Sequence, residues 1–221
     1  MRTTPLLAAL AALSLSTTTL GAQTDVSCVP ISERAGRALG CFVTARHEIG
    51  RLLVRPPLYW HLERYESRSE AQRDAMRDKR SIAVESFDKH WVFTIAPFEW
   101  RSQAGEPFAR VGPLPLVDAD KFAAVYMEAA FEPGMHSVVH RHDGAEAWFT
   151  LEGSQCVETP EGKLEQRASE PGIVVPGGLP MILTGTGRGI RRSLVLVLQD
   201  ATKPRSTPAA DWTPKGLCEK R

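Results

Sequence analysis

From Gly112 to Asp200 the chain is a succession of short apolar runs separated by Gly- and Pro-rich turns. AAVYMEAAF is followed by the turn EPG at Glu132–Gly134, then by HSVVHRH and EAWFTLEG. CVETPEGKLEQR carries its own turn at Pro160–Gly162, and GIVVPGG, PMILTGTG and the strongly apolar RRSLVLVLQD complete the series. No helical periodicity intervenes. Many short strands with such turns imply an all-β unit, an antiparallel sandwich or small barrel, because strands this short bury enough surface only by closing on one another.

The segments around this unit read differently. Residues 23–110 form an N-terminal α+β extension. In it LYWHLERY, Leu58 to Tyr65, reads as a strand, and Ser67 followed three residues later by Glu70 is the signature of a helix start. SIAVESF and HWVFTIAPF are two strands around a turn at Asp88-Lys89. The barrel spans 111–200, and residues 201–221, with three prolines and several charges, form an extended tail laid over it. Residues 1–22 have the form of a signal peptide: Arg2, an apolar run from Leu6 to Leu15 and a cleavage-like Leu20-Gly21-Ala22. The expected location is therefore periplasmic or secreted, with no membrane span. In such a compartment Cys28, Cys41, Cys156 and Cys218 are disulfide candidates. Cys28–Cys41, close in sequence, is favoured as a local staple, which leaves Cys156–Cys218 to tie down the tail. The 27 basic and 26 acidic residues are scattered, so the basic footprint of a nucleic-acid binder is missing.

HRHDGAEAWFTLEG, His140 to Gly153, concentrates the chemistry. On a strand, residues two apart share a face, so His140 and His142 point together. The turn at Asp143–Ala145 lets Glu146 begin a neighbouring strand and return to the imidazoles. Two neutral histidines and a carboxylate suit one divalent transition metal: iron, copper, manganese, zinc or nickel.

GMHSVVHRHDGAEAWFTLEG resembles the first signature motif of the cupin superfamily at Gly134, His140, His142, Glu146 and Gly153. GIVVPGGLPM is similar to the second motif through Gly172, Pro176 and Gly178, with a glycine-to-proline gap two residues shorter than the common form. Met181 stands where that motif usually supplies a histidine. The lead-in ESF…W.FTIA also resembles exported bacterial single-cupin proteins, a group that brings no particular reaction with it. The resemblance implies a jelly-roll barrel in which His140, His142 and Glu146 are metal ligands and the fourth is absent. Met181 is either a thioether ligand, which would favour copper, or an apolar residue shaping the pocket. A site holding no metal, whose histidines bind a small anion or polar ligand, stays open beside these.

Inward alternation assigns Tyr126, Glu128, Val138, Trp148, Thr150 and Leu183 to the pocket. His136 lies about 13 Å along a regular strand from His140, so it belongs to the pocket wall. No nucleophile elbow, phosphate loop or dinucleotide fingerprint occurs. The leading expectation is a metal-dependent oxygenase acting on a small organic molecule. A non-enzymatic metal or ligand binder and a metal-assisted isomerase or lyase are the alternatives. A homodimer through edge strands is a further expectation.

Overall fold

The computed structural model describes residues 25–219, and the expected signal segment lies outside them. The chain opens with β1 (Asp25–Val26), β2 (Cys28–Pro30), β3 (Gly40–Gly50) and β4 (Leu58–Tyr65), followed by α1 (Arg68–Ala75). Next come β5 (Ser81–Ser86), β6 (Lys89–Pro97), β7 (Glu106–Leu114), β8 (Phe122–Phe131), β9 (His136–Ser137) and β10 (His140–Arg141). The remainder is β11 (Ala145–Glu152), β12 (Ser154–Thr159), β13 (Gly162–Arg167), β14 (Ile173–Val175), β15 (Ile182–Thr186), β16 (Arg191–Asp200) and β17 (Thr207–Pro208).

From β8 onward the chain passes back and forth between two facing sheets. One has the order β14-β11-β16-β8-β3-β2 and the other β1-β9-β15-β12-β13, with β10 paired to β17 beside them. This alternation is the connectivity of a jelly roll, as expected. A third sheet, β5-β6-β4-β7, lies on the outer face of the first. Trp60, Leu62, Phe93 and Ile95 from it pack against Phe122, Ala124, Tyr126, Leu194, Leu196 and Leu198. The inner face of the same sheet packs Val125, Met127, Val195 and Val197 against Val157, Met181 and Leu183. The first sheet is therefore buried on both sides, and all ten residues of β8 are buried. That explains a strand with no polar alternation to mark its faces.

Local chemistry fixes the additions. Ser67 caps α1, its hydroxyl accepting from the Glu70 N–H at 3.3 Å and donating to the Glu70 carboxylate at 2.9 Å. Ala71 and Ala75, one turn apart, seat the helix against Tyr65 and Val92. The β5–β6 turn falls on Phe87-Asp88, one residue earlier than expected, because Lys89 is already laddered to Ser86. Phe87 takes the left-handed conformation, φ 50°, which its side chain disfavours. Its N–H donates to the Glu128 carboxylate at 2.8 Å, which holds it there. Arg34 and the Ser86 hydroxyl donate to the same carboxylate at 2.5 and 2.9 Å. HSVVHRH, expected as one strand, is broken at Val138-Val139: β9 pairs with β1 and β15, whereas β10 pairs with β17 of the tail. The tail is further held by Arg141 on Asp211 at 2.7 Å and by the Lys215 and Leu217 N–H groups on Glu158.

Both favoured cysteine pairs are disulfides, Cys28–Cys41 and Cys156–Cys218, which fits an oxidising environment. No described helix is long and apolar enough to cross a membrane. The pairs close loops of 13 and 62 residues, so loop-closure entropy assigns them about 3 and about 4 kcal/mol. Replacing Cys156 and Cys218 by serine is expected to cost more stability in urea unfolding than replacing Cys28 and Cys41.

Glu63 on β4 is buried, and burial followed by the charge of Asp74 pushes its carboxyl up to about 7 from 4.5. A carboxyl raised on folding favours the protonated native state, so its contribution is lost as pH rises from 4.5 through 7. Glu63→Gln should match the parent near pH 4 and exceed its unfolding free energy by on the order of 3 kcal/mol above pH 7. Urea titrations at the two pH values check this.

Candidate metal centre

His140 lies on β10, His142 in the loop after it and Glu146 on β11, and the three side chains meet. His140 Nε2 is 3.1 Å from His142 Nε2, which is 2.8 Å from Glu146 Oε2; His140 Nε2 and Glu146 Oε2 are 3.8 Å apart. The backbone decides what these atoms can do. His140 Nδ1 contacts the Val138 carbonyl at 2.8 Å, and His142 Nδ1 contacts the carbonyl of Arg205 in the tail. A carbonyl only accepts, so both Nδ1 atoms carry the proton and each neutral ring leaves a lone pair on Nε2.

Glu146 is buried, and its Oε2 faces both imidazoles, with His142 Nε2 the nearer. Burial opposes its ionisation, but His142 and His140 outweigh that and lower its carboxyl to about 2. Burial likewise opposes a charged His140, and the neighbouring Glu146 more than offsets it, so the His140 pKa is raised. With both rings neutral, three electron-pair donors converge in a buried volume, and a proton on an imidazole or a metal ion between them relieves their repulsion. Cis ligands of a first-row ion at ordinary bond lengths are about 3–3.4 Å apart. The donor set fits a divalent metal, and the carbonyls on the two Nδ1 atoms are the outer partners such ligands need.

The second glycine-rich turn contributes structure to this site. The Gly178 N–H donates to the His142 carbonyl at 2.8 Å. Met181 opposes His140 and exchanges both backbone hydrogen bonds with it, at 2.8 and 3.1 Å. Its side chain is buried in the cluster containing Trp148 and Leu183.

A cavity of about 80 Å³ opens from the cluster into the space between the sheets. Val138, Trp148 and Leu183 line it as expected, together with Met127, Ala129, Phe131 and Val195. Tyr126 and Glu128 do not: the pocket face of β8 is the odd-numbered one. The Tyr126 ring packs on Phe93 and Trp60 between the first sheet and the outer one, and Glu128 on the same face holds Arg34 and the β5–β6 turn. Thr150 lies further along the inner face, donating to Gln166 at 2.9 Å and paired with Ser193 at 3.0 Å. His136 Nδ1 contacts the neighbouring Ser137 carbonyl at 3.1 Å, and the residue is outside the cavity lining. Arg191, Arg205, Ser137 and Ser206 also line the cavity, and the sequence reading missed them. The Arg191-Arg192 doublet held a signal, because on a strand two adjacent residues face opposite sides and one arginine had to point inward.

Fold and cluster together define a jelly-roll protein with a two-histidine, one-glutamate centre. Neither a family model nor a curated protein matches the chain. Solved structures do. The polyketide cyclase RemF from Streptomyces resistomycificus is 22% identical with a TM-score of 0.33, over 40% of this chain and 63% of that one. A cupin superfamily protein from Desulfitobacterium hafniense is 18% identical with a TM-score of 0.32, over 42% and 84%. The DMSP lyase DddQ from Ruegeria pomeroyi is 18% identical with a TM-score of 0.34, over 48% and 47%. The chain thus spans less than two thirds of the length of the first of these. At such scores the likeness bears on none of the chemistry.

Gly144, between the ligand candidates, sits so close to β16 that a Cβ would lie 2.0 Å from the Leu198 carbonyl oxygen. Gly144→Ala should push this loop off β16 and move Glu146 relative to His142. Zn²⁺ affinity in competition with a chromogenic chelator is expected to fall about 10-fold or more, with unfolding still cooperative.

Proposed function

We propose that the chain is an exported, periplasmic or secreted divalent-metal enzyme that takes a small organic molecule into the cavity beside the ion and oxidises it with O₂. One observation carries this reading: His140 Nε2, His142 Nε2 and a Glu146 carboxylate oxygen converge beside a largely apolar cavity. Two histidines and a carboxylate gathered on one side of an ion leave positions open for substrate and oxygen, the pattern associated with non-haem iron oxygenases. When bound, iron or copper would supply the redox chemistry. The protein's part is positional. The Val138 and Arg205 carbonyls hold both Nδ1 protons, keeping each ring in the tautomer that offers Nε2. The two imidazoles favour the ionised form of Glu146. Met127, Trp148, Leu183 and Val195 line an apolar space that keeps water away from the bound molecule.

With Tyr126 and Glu128 turned away, isomerase or lyase chemistry would rely on the ion as Lewis acid and on the cluster's own groups. That chemistry and ligand binding without turnover are the alternatives, and oxygen consumption separates oxidation from both.

Elemental analysis of the purified chain and titration of the chelator-treated form should give one ion per chain. His142→Ala should weaken binding beyond the about 10–100-fold effect typical of outer partners. With Fe²⁺ bound, an oxygen electrode should record ligand-dependent uptake that His140→Ala abolishes. Sub-stoichiometric metal, or unchanged affinity in the variants, would overturn the metal site. Metal and ligand binding without oxygen uptake would leave the two alternatives.

A further inference from the structure

Arg191 is fully buried at the head of β16, on the inward face shared with Val195 and Val197. It lines the same cavity as His140, His142 and Glu146. None of its three guanidinium nitrogens has a hydrogen-bond partner among the described residues. The Phe131 ring lies 5.2 Å from the guanidinium carbon, and the Glu146 carboxylate in the same cavity attracts the guanidinium without hydrogen-bonding to it. A buried guanidinium with no hydrogen-bond acceptor is costly, and one that persists in a cavity marks a ligand that supplies the missing acceptors. Arg205, half-buried, is a second cation in the lining, and it donates to the Cys28 carbonyl at 2.8 Å. Among the described residues that line the cavity, Glu146 is the single carboxylate set against these two charges. A bound divalent ion would widen the imbalance.

The placement also gives the ligand a shape. Val197, the ladder partner of Glu146, is six residues from Arg191 along β16, about 20 Å of backbone, and the long Arg191 side chain reaches back into the cavity that Glu146 also lines. Trp148, Leu183, Met127 and Val195 line the space between the two ends. From this we infer that the cavity recognises an organic carboxylate, with its anionic group on Arg191 and its apolar body along Trp148 and Val195 toward the metal centre. The planar guanidinium presents parallel N–H donors that match a carboxylate's two oxygens. The inference deepens the proposed function and rests on it only for what stands at the far end of the ligand.

The test uses the full mature chain with butyrate, hexanoate and octanoate as probes and the matching primary amides as neutral controls. It is run by calorimetry on the chelator-treated and Zn²⁺-loaded forms. At least one carboxylate should bind about 10–100-fold more tightly than its amide. Arg191→Met should erase that preference without weakening Zn²⁺ binding. It should also raise the melting temperature, because a structural arginine would lower it and an unpaired one destabilises the free protein. Arg191→Lys, which keeps charge without the fork, should retain part of the preference and serves equally if the methionine variant does not fold. Amides bound as tightly as carboxylates, no binding of any probe, or an unchanged preference in both variants would overturn the inference. If the preference depends on Arg191 but Zn²⁺ does not bind, the carboxylate site stands and the metal reading falls.

Discussion

Burial of one sheet on both faces is the constraint on which the rest of the structure depends. β8 and β16 run through the middle of three layers, with the outer sheet on one side and the cavity on the other. Their side chains must alternate between two apolar environments, so the strands can be apolar throughout. The few polar groups on them are then confined to defined tasks. Glu128 gathers three donors from the N-terminal segment and the β5–β6 turn, and Arg191 faces the opposite way into the cavity. Two charged residues on paired strands thus serve opposite sides of one sheet.

The metal centre is built on the same economy of direction. His140 and His142 come from a segment too irregular to be one strand, and its halves are held by different partners. The N-terminal strand and β15 hold β9, and the C-terminal tail holds β10. The turn at Pro176–Gly178 and the His140–Met181 pair then fix the backbone around the imidazoles. The second glycine-rich motif, with Met181 in place of a histidine, contributes these backbone bonds to the centre.

Much of this was legible in the sequence. Turn residues and short apolar runs announced an all-β unit, the Ser67–Glu70 spacing announced α1, and HRHDGAE announced which side chains would meet. The faces of β8 were hidden for a physical reason. Alternation is readable only when one face is wet, and with both dry nothing distinguishes Tyr126 from Met127. The break at Val138-Val139 was hidden too, because it is imposed by the tail, whose pairing with β10 is a long-range contact. Arg191 was readable only as one of two equivalent arginines until the ladder with Phe131 chose between them.

The His142 tautomer is set by a main-chain oxygen of the tail. Every amino acid placed at position 205 brings the same carbonyl, so substitution there leaves this contact standing while altering the rim charge. Side-chain scanning is therefore blind to one of the bonds that orient the centre. Shortening the tail, or freeing it from Cys156, reaches that bond through the chain's path and not through its alphabet.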